Sequence, residues 1–345
     1  MRFIIAGGGT GGHLYPGIAV AEKAGIKDTL FLVSSRGIEK RVLSKTNYKY
    51  IEQDVSSFVG QSLWGKFKAA LRLLRAIRLA SKEMNKGDKV LLTGGFAAAP
   101  AAFAARFKKV EYYIHEQNSV MGRLNRYVAK GAKKVFLSYD ETLYASTNAI
   151  MVGNPVRQEL LGSTISEVNG KRLLVLGGSG GARAINKVIV EAAPALLKSG
   201  WTIFHQTGTE LYNETIGFYG KNVRQEGLKI EPYIYDMKQA YSEADFVVAR
   251  AGSGTVFETL YQRRPALYIP LARAADNHQL KNARSAESLG AAKVLEEKDL
   301  SATRLINLLE VMFTETYRFK QRLQAVNEKD TAAIIAAEMF GKIRR

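Results

Sequence analysis

His13 stands directly behind the run Gly7-Gly8-Gly9-Thr10-Gly11-Gly12. Such a loop brings backbone N–H groups and a helix N-terminus close to a phosphate or a hydroxyl, because glycine has no side chain in the way. An imidazole at that point faces whatever the loop holds. The positive end of the helix favours the neutral ring that a general base needs, so His13 is a candidate base. A second run, Gly177-Gly178-Ser179-Gly180-Gly181, repeats the arrangement in the other half of the chain. A third, Arg250-Ala251-Gly252-Ser253-Gly254-Thr255, offers amides for a diphosphate. Glu258, one turn further on, has two carboxylate oxygens for the two hydroxyls of a ribose. The run Asp276-Asn277-His278-Gln279-Leu280-Lys281-Asn282-Ala283 gathers groups that suit a sugar. His115-Glu116-Gln117-Asn118 is a dense polar group where an apolar run ends, and in parallel sheets that end is where ligands bind.

These groups need a scaffold, and the pattern supplies one. Strand-like runs fall at 2–6, 29–34, 48–53, 89–93, 110–115, 134–138 and about 149–152. The second half adds 172–176, 202–206, 227–231, 245–249, 266–269 and 292–295. Helical stretches alternate with them, which predicts βα units and parallel sheets. Two glycine loops of the same kind predict two nucleotide-fold domains with a cleft between them. Pro155, in Gly153-Asn154-Pro155-Val156-Arg157, suits a linker. The tail from about 302 to 345 reads as helix.

The 345 residues suffice for two full cores. There is no cysteine, so disulfides and thiolate metal sites are excluded. No Asp-x-Asp pair sits in a suitable loop, which leads us to expect no obligatory metal. No P-loop lysine motif is present, which argues against an ATPase. The dinucleotide fingerprint Gly7-x-Gly9-x-x-Gly12 lacks the acid expected after the second strand. Arg36, in that place, would suit an NADP 2′-phosphate and keeps a dehydrogenase reading open. The chain enters a strand without a signal-like segment, and no apolar run approaches the ~20 residues of a membrane span. A cytoplasmic location is therefore expected.

Residues 1–150 carry 24 Lys and Arg against 11 Asp and Glu, within a net charge of +18. A basic half attracts nucleic acid, acidic lipid headgroups or phosphorylated substrates. Segment 61–86 sharpens this. Leu63, Phe67, Ala70, Leu74 and Ile77 form one apolar stripe, with Lys68, Arg72, Arg75, Arg78, Lys82 and Lys86 beside it and Trp64 and Leu71 at the boundary. This reads either as a basic amphipathic helix on an anionic membrane or as a crossover helix burying its stripe on the sheet. Few aromatic residues interleave the basic ones, which argues against nucleic acid.

Taken together, Gly8-Gly9-Thr10-Gly11-Gly12-His13, Thr93-Gly94-Gly95-Phe96, His115-Glu116-Gln117-Asn118, Gly153-Asn154-Pro155-Val156-Arg157, Gly177-Gly178-Ser179, Arg250-Ala251-Gly252 and Gln279-x-x-Asn282-Ala283 resemble the MurG family of glycosyltransferases, family 28. The resemblance implies an α/β GT-B fold of two Rossmann-like domains facing a cleft. The boundaries would be 1–156 for an acceptor- and membrane-facing domain and 157–329 for a donor domain, with a final helix at about 330–345 packing back on the first. It implies inverting transfer of N-acetylglucosamine from UDP-N-acetylglucosamine to the 4-hydroxyl of undecaprenyl-diphospho-N-acetylmuramoyl-pentapeptide. That step belongs to peptidoglycan synthesis at the cytoplasmic face of the cell membrane, and no cofactor is implied.

By motif, Arg157 and Ile234 match uridine contacts. Ser179 and Gly252, Ser253, Gly254 and Thr255 match diphosphate contacts, and Glu258 matches the ribose contact. Gln279 and Asn118 match sugar contacts, while Thr10, Gly11 and Gly12 close over the donor. His13 or Glu116 would be the base. Asn125 and Phe96 fall at acceptor positions. Two residues depart from the family pattern: Gly180 replaces a glutamine and Phe96 a tyrosine. An epimerase of the same fold and a transferase acting on diacylglycerol are the neighbouring alternatives.

Overall fold

The computed structural model describes residues 1–9, 11–35, 38–56, 60–162 and 168–341. Thr10 and Arg36 fall outside the described residues. Two compact units result, one of residues 1–157 with 329–345 and one of residues 158–328.

The first unit runs β1 (Phe3–Gly7), α1 (Gly11–Ala24), β2 (Thr29–Ser34), α2 (Glu39–Leu43), β3 (Lys49–Gln53), α3 (Leu63–Lys82), β4 (Lys89–Gly94), α4 (Ala99–Lys108), β5 (Glu111–Glu116), α5 (Arg123–Val128), β6 (Val135–Leu137) and β7 (Ala149–Met151). Its sheet is parallel, in the order β3-β2-β1-β4-β5-β6-β7. β1 and β2 are buried along their whole length, as parallel strands covered on both faces must be. Alternation then divides the core. Ile4, Ala6, Leu30 and Leu32 point to the face packed with alanines of α4, while Phe3, Ile5, Phe31 and Val33 meet α1 on the other.

The second unit runs β8 (Arg172–Leu176), α6 (Arg183–Lys198), β9 (Thr202–Gln206), α7 (Tyr212–Tyr219), β10 (Leu228–Glu231), α8 (Met237–Glu243), β11 (Phe246–Ala249), α9 (Ser253–Tyr261), β12 (Ala266–Tyr268), α10 (His278–Ser288), β13 (Ala292–Val294), α11 (Ala302–Thr314) and α12 (Thr316–Gln324). Its parallel sheet has the order β10-β9-β8-β11-β12-β13. The chain then returns to the first unit as α13 (Thr331–Phe340). There Ala332, Ile335, Ala336 and Met339 join the α1 side of the core, Phe340 meets Phe3 edge-on at 5.0 Å, and the Thr331 hydroxyl donates to Val152 O at 3.0 Å.

The C-terminal tail is three helices rather than one. It breaks at Glu315 and again over 325–330, where Asp330 caps α13 by accepting from Ala333 N at 3.0 Å. In each sheet the strand order reverses beside the first strand, between β1 and β4 and between β8 and β11. Ligands of open parallel sheets bind at this switch point, outside the carboxyl ends of the strands. Both glycine loops leave from there.

Candidate functional site

The first unit assembles its polar groups from β1, β4 and β5. His13 lies in the first turn of α1, half-buried. Its Nδ1 is 2.9 Å from Thr93 O and 3.1 Å from Gln117 Oε1. Both are oxygens that only accept, so Nδ1 carries the proton and Nε2 keeps a lone pair. That is the arrangement a general base requires. Gly95 gives the ring its room. At φ 72 it holds a left-handed conformation, and a Cβ there would meet Gly8 O at 2.5 Å and His13 Cδ2 at 3.2 Å.

The other candidate base is differently placed. Glu116 is 2% exposed. Its Oε1 accepts from Asn118 N at 3.1 Å and Asn118 Nδ2 at 3.3 Å, and its Oε2 from Gly122 N and Asn125 Nδ2, both at 2.8 Å. Four donors saturate the carboxylate, which thereby fixes the turn from β5 to α5 and aims Asn118. Asn125 is equally buried; its Nδ2 donates to Glu116, while its Oδ1 has no hydrogen-bond partner among the described residues. Its Nδ2 thus supports Glu116. Phe96 packs on Val55, Ala76 and Ala97. His115 is fully buried, and burial pushes its pKa down to about 4, with His13 adding in the same direction. The Arg157 guanidinium lies over the Tyr15 ring of α1 at 4.5 Å.

In the second unit, α6 and α9 begin at Ala182 and Gly252 without side-chain caps. Their first-turn amides are thus not satisfied by a capping side chain, which suits an anion. Ser253, 5% exposed, has an unpartnered hydroxyl at the head of α9. Glu258, in the second turn of α9, is buried, and Tyr241 O–H donates to its Oε2 at 3.1 Å. Gln206, at the end of β9, ties the second glycine loop to the segment after β10: its Nε2 donates to Gly178 O at 3.1 Å and its Oε1 accepts from Ile234 N at 3.1 Å. Ser179 O holds Thr209 N at 3.2 Å. Gln279 Oε1 accepts from Leu271 N at 3.0 Å, and Asn282 Nδ2 donates to Ala251 O at 3.2 Å. Asp276 and Asn277, just before α10, both adopt left-handed backbone without being glycine, a strain typical of ligand sites. A Cβ at Gly180 would meet nothing within 4 Å, so the glutamine missing there is not excluded by space.

Gln206, Tyr241 and Tyr15 had no role in the sequence reading. Polar Gln206 ending an apolar strand was the one available signal. A buried Glu39 was also missed; its Oε1 accepts from Gly9 N and braces the first glycine loop from α2. Among the described residues no group of three or more His, Asp or Glu could hold a metal ion.

The helix expected over 61–86 spans Leu63–Lys82, capped by Ser62, whose hydroxyl accepts from Gly65 N at 3.2 Å. Its buried residues are Ala69, Ala76 and Ala80, and the helix packs on the alanine-rich α4. The large apolar residues turn outward: Leu63 is 86% exposed, Trp64 64% and Leu74 62%, with Phe67 and Leu71 beside them. The two readings therefore divide the stripe: Ile77 packs against the core of the sheet, while Leu63, Phe67 and Leu74 face out. Alanine fits the close helix–helix approach on the inner side. No helix among the described residues is long and apolar enough to cross a membrane.

Comparison with known proteins adds a family. Residues 3–137 match the glycosyltransferase family 28 N-terminal domain and residues 172–337 the family 28 C-terminal domain. A relative from Geotalea daltonii is 36% identical, over 99% of this chain and 98% of its own. One from Syntrophotalea carbinolica is 38% identical, over 90% and 89%. Both bear the name UDP-N-acetylglucosamine--N-acetylmuramyl-(pentapeptide) pyrophosphoryl-undecaprenol N-acetylglucosamine transferase. Among solved structures, MurG of Acinetobacter baumannii matches with a TM-score of 0.74 at 27% identity, over 98% of each chain. The glycosyltransferase of kitacinnamycin matches at 0.66 and 14% identity, which speaks to fold alone.

Proposed function

The chain belongs to glycosyltransferase family 28, and on that premise we propose that it moves N-acetylglucosamine from UDP-N-acetylglucosamine to the 4-hydroxyl of undecaprenyl-diphospho-N-acetylmuramoyl-pentapeptide. The observation that carries the mechanism is the bare Nε2 of His13, left so by two oxygens at Nδ1. Nε2 takes the proton of the acceptor hydroxyl. That oxygen attacks the anomeric carbon from the face opposite UDP, the bond to the diphosphate breaks, and a β-1,4 linkage forms. Glu116, saturated by four donors, serves as the brace that sets Asn118 against the sugar.

The donor reading rests on the second unit. The amides at the heads of α6 and α9, with Ser179, Ser253, Gly254 and Thr255, neutralise the departing diphosphate. Glu258, already oriented by Tyr241, takes the ribose hydroxyls. Ile234 and Arg157 hold the uridine, and Gln279 the sugar. Gly11 and Gly12 adjoin the base.

The acceptor carries a lipid, so the enzyme works as a peripheral protein at the cytoplasmic membrane surface. Supporting this, α3 exposes Leu63, Trp64, Phe67, Leu71 and Leu74 among Lys68, Arg75 and Arg78, and Phe107 of α4 is also exposed. Apolar residues set in a basic field fit an anionic bilayer.

UDP release from UDP-N-acetylglucosamine, with and without a short-chain acceptor analogue, tests the reading. Release that depends on acceptor and falls about 10²–10⁴-fold in His13→Ala is expected. Release without any acceptor would favour an epimerase, and acceptor-dependent release unchanged in His13→Ala would remove His13 as base.

A further inference from the structure

We infer that Gln117 is a positioning residue whose side-chain amide, lodged between His13 and His115, fixes the ring proton of each on a set nitrogen. The inference rests on the reading of His13 as base. Gln117 is 2% exposed and makes contacts at both ends of its amide. Its Oε1 lies 3.1 Å from His13 Nδ1. Its Nε2 lies 2.7 Å from Thr93 O, 3.1 Å from His115 Nδ1 and 3.2 Å from His115 O.

The orientation of the amide follows from these neighbours. Turned over, it would set its oxygen against two carbonyl oxygens, one of them 2.7 Å away. The NH₂ therefore faces Thr93 O and His115, and the oxygen faces His13. An amide so held imposes opposite roles on the two rings. Its oxygen demands a proton on His13 Nδ1. Its NH₂ demands a lone pair on His115 Nδ1, which sends the His115 proton to Nε2.

The far side of His115 agrees. Its Nε2 is 3.2 Å from Gly153 O, an oxygen that only accepts, and 3.3 Å from Ser138 Oγ, which in turn donates to Asn154 Oδ1 at 3.3 Å. Every partner from Asn154 to His13 is thus matched with one direction of donation. Burial keeps His115 neutral, so it holds a single ring proton whose place this chain of bonds decides. The relay moves no proton itself. When His13 Nε2 takes the acceptor proton, Thr93 O and Gln117 Oε1 remain on the Nδ1–H of the cation and support its charge. The Gly153-Asn154 turn, far from the chemistry in sequence, thereby acts on the base through Ser138, His115 and Gln117.

The test reads the rings directly. In the full chain labelled with ¹⁵N-histidine, the nitrogen shifts at about pH 8, where imidazole is neutral, should report His13 as Nδ1–H and His115 as Nε2–H. Gln117→Met, of similar length and without polar atoms, should raise the Nε2–H share of His13 and lower kcat about tenfold, with the donor KM within about twofold of the parent. Parent spectra with His13 as Nε2–H, or a His13 tautomer unmoved in Gln117→Met, would overturn the inference. The parent spectrum needs no variant, so a misfolded Gln117→Met cannot hide the answer. Loss of the base reading would show separately, as full activity in His13→Ala with the tautomers as stated.

Discussion

The two units use one construction, strand then glycine loop then helix, for different ends. In the first, the loop after β1 delivers a side chain, His13, whose partners Thr93 and Gln117 come from β4 and the end of β5. In the second, the loops after β8 and β11 deliver backbone amides, and the residues around them serve to hold the loops still. Each unit also buries one histidine at a strand end. His115 is wired outward to His13 through Gln117. His205 is closed in, bonded to Tyr219 O–H at 2.9 Å and Asn186 Oδ1 at 3.1 Å, with Asn186 Nδ2 anchored on Thr207 O at 2.9 Å. A buried imidazole does not by itself mark catalysis. What separates the two is whether the chain of bonds ends on a group that solvent and substrate can reach.

Three experiments press on this division. The largest effect is expected from Glu258→Ala. Losing two charge-assisted contacts to a ribose should raise the donor KM about 10–100-fold and leave kcat nearly intact, the mark of lost uniform binding. A fall in kcat at unchanged KM would mean that the second unit does more than hold the donor. Next comes acid. His115 and His205 are pushed down by burial to about 4 and about 3, whereas an unfolded histidine takes up its proton near pH 6.5. The unfolded state then binds more protons, so stability is complete above that pH and falls as pH drops below it. Between pH 6.5 and 5 each unit should lose roughly 2 kcal/mol. Hydrogen exchange followed by unit would show the two softening together, and protection unchanged at pH 5 in either would refute the neutral state of its histidine. The smallest effect concerns α3. Replacing Trp64, Phe67 and Leu71 by serine should cut binding to anionic liposomes about tenfold while turnover of a short-chain acceptor stays as it was. Unchanged liposome binding would move the anchor elsewhere.

Much of the fold was legible because parallel strands covered on both faces read as short continuous apolar runs. Each of the thirteen strands among the described residues lies within about a residue of its expected place. The glycine loops and His13 were legible for a similar reason, since tight turns leave few residue choices. The face of α3 was legible only as two open alternatives. A helical wheel marks the stripe of Leu63, Phe67 and Leu74 but does not say which way it turns, and close packing on α4 selected Ala69, Ala76 and Ala80 for the inside. Nor were the hydrogen-bond networks legible. Gln117 was read only as one of a polar run, because its meeting with His13 joins positions 104 residues apart in the chain. Glu116 stood as a candidate base and Asn125 at an acceptor position, and no sequence pattern showed that the two side chains bond to each other.

α13 carries a consequence for the birth of the molecule. Its residues complete the α1 side of the first core, yet they are made only after the whole second unit. Between Arg157 and Lys329 the ribosome must synthesise the whole second unit, and at about 5–20 residues per second that takes roughly ten to thirty seconds. During that interval the side of α1 that α13 will cover is bare, and with it Phe3 and the neighbourhood of Val152. The second unit, continuous in the chain, is free to fold first although it is translated later. The first unit, begun first, is therefore completed only after the second has been made.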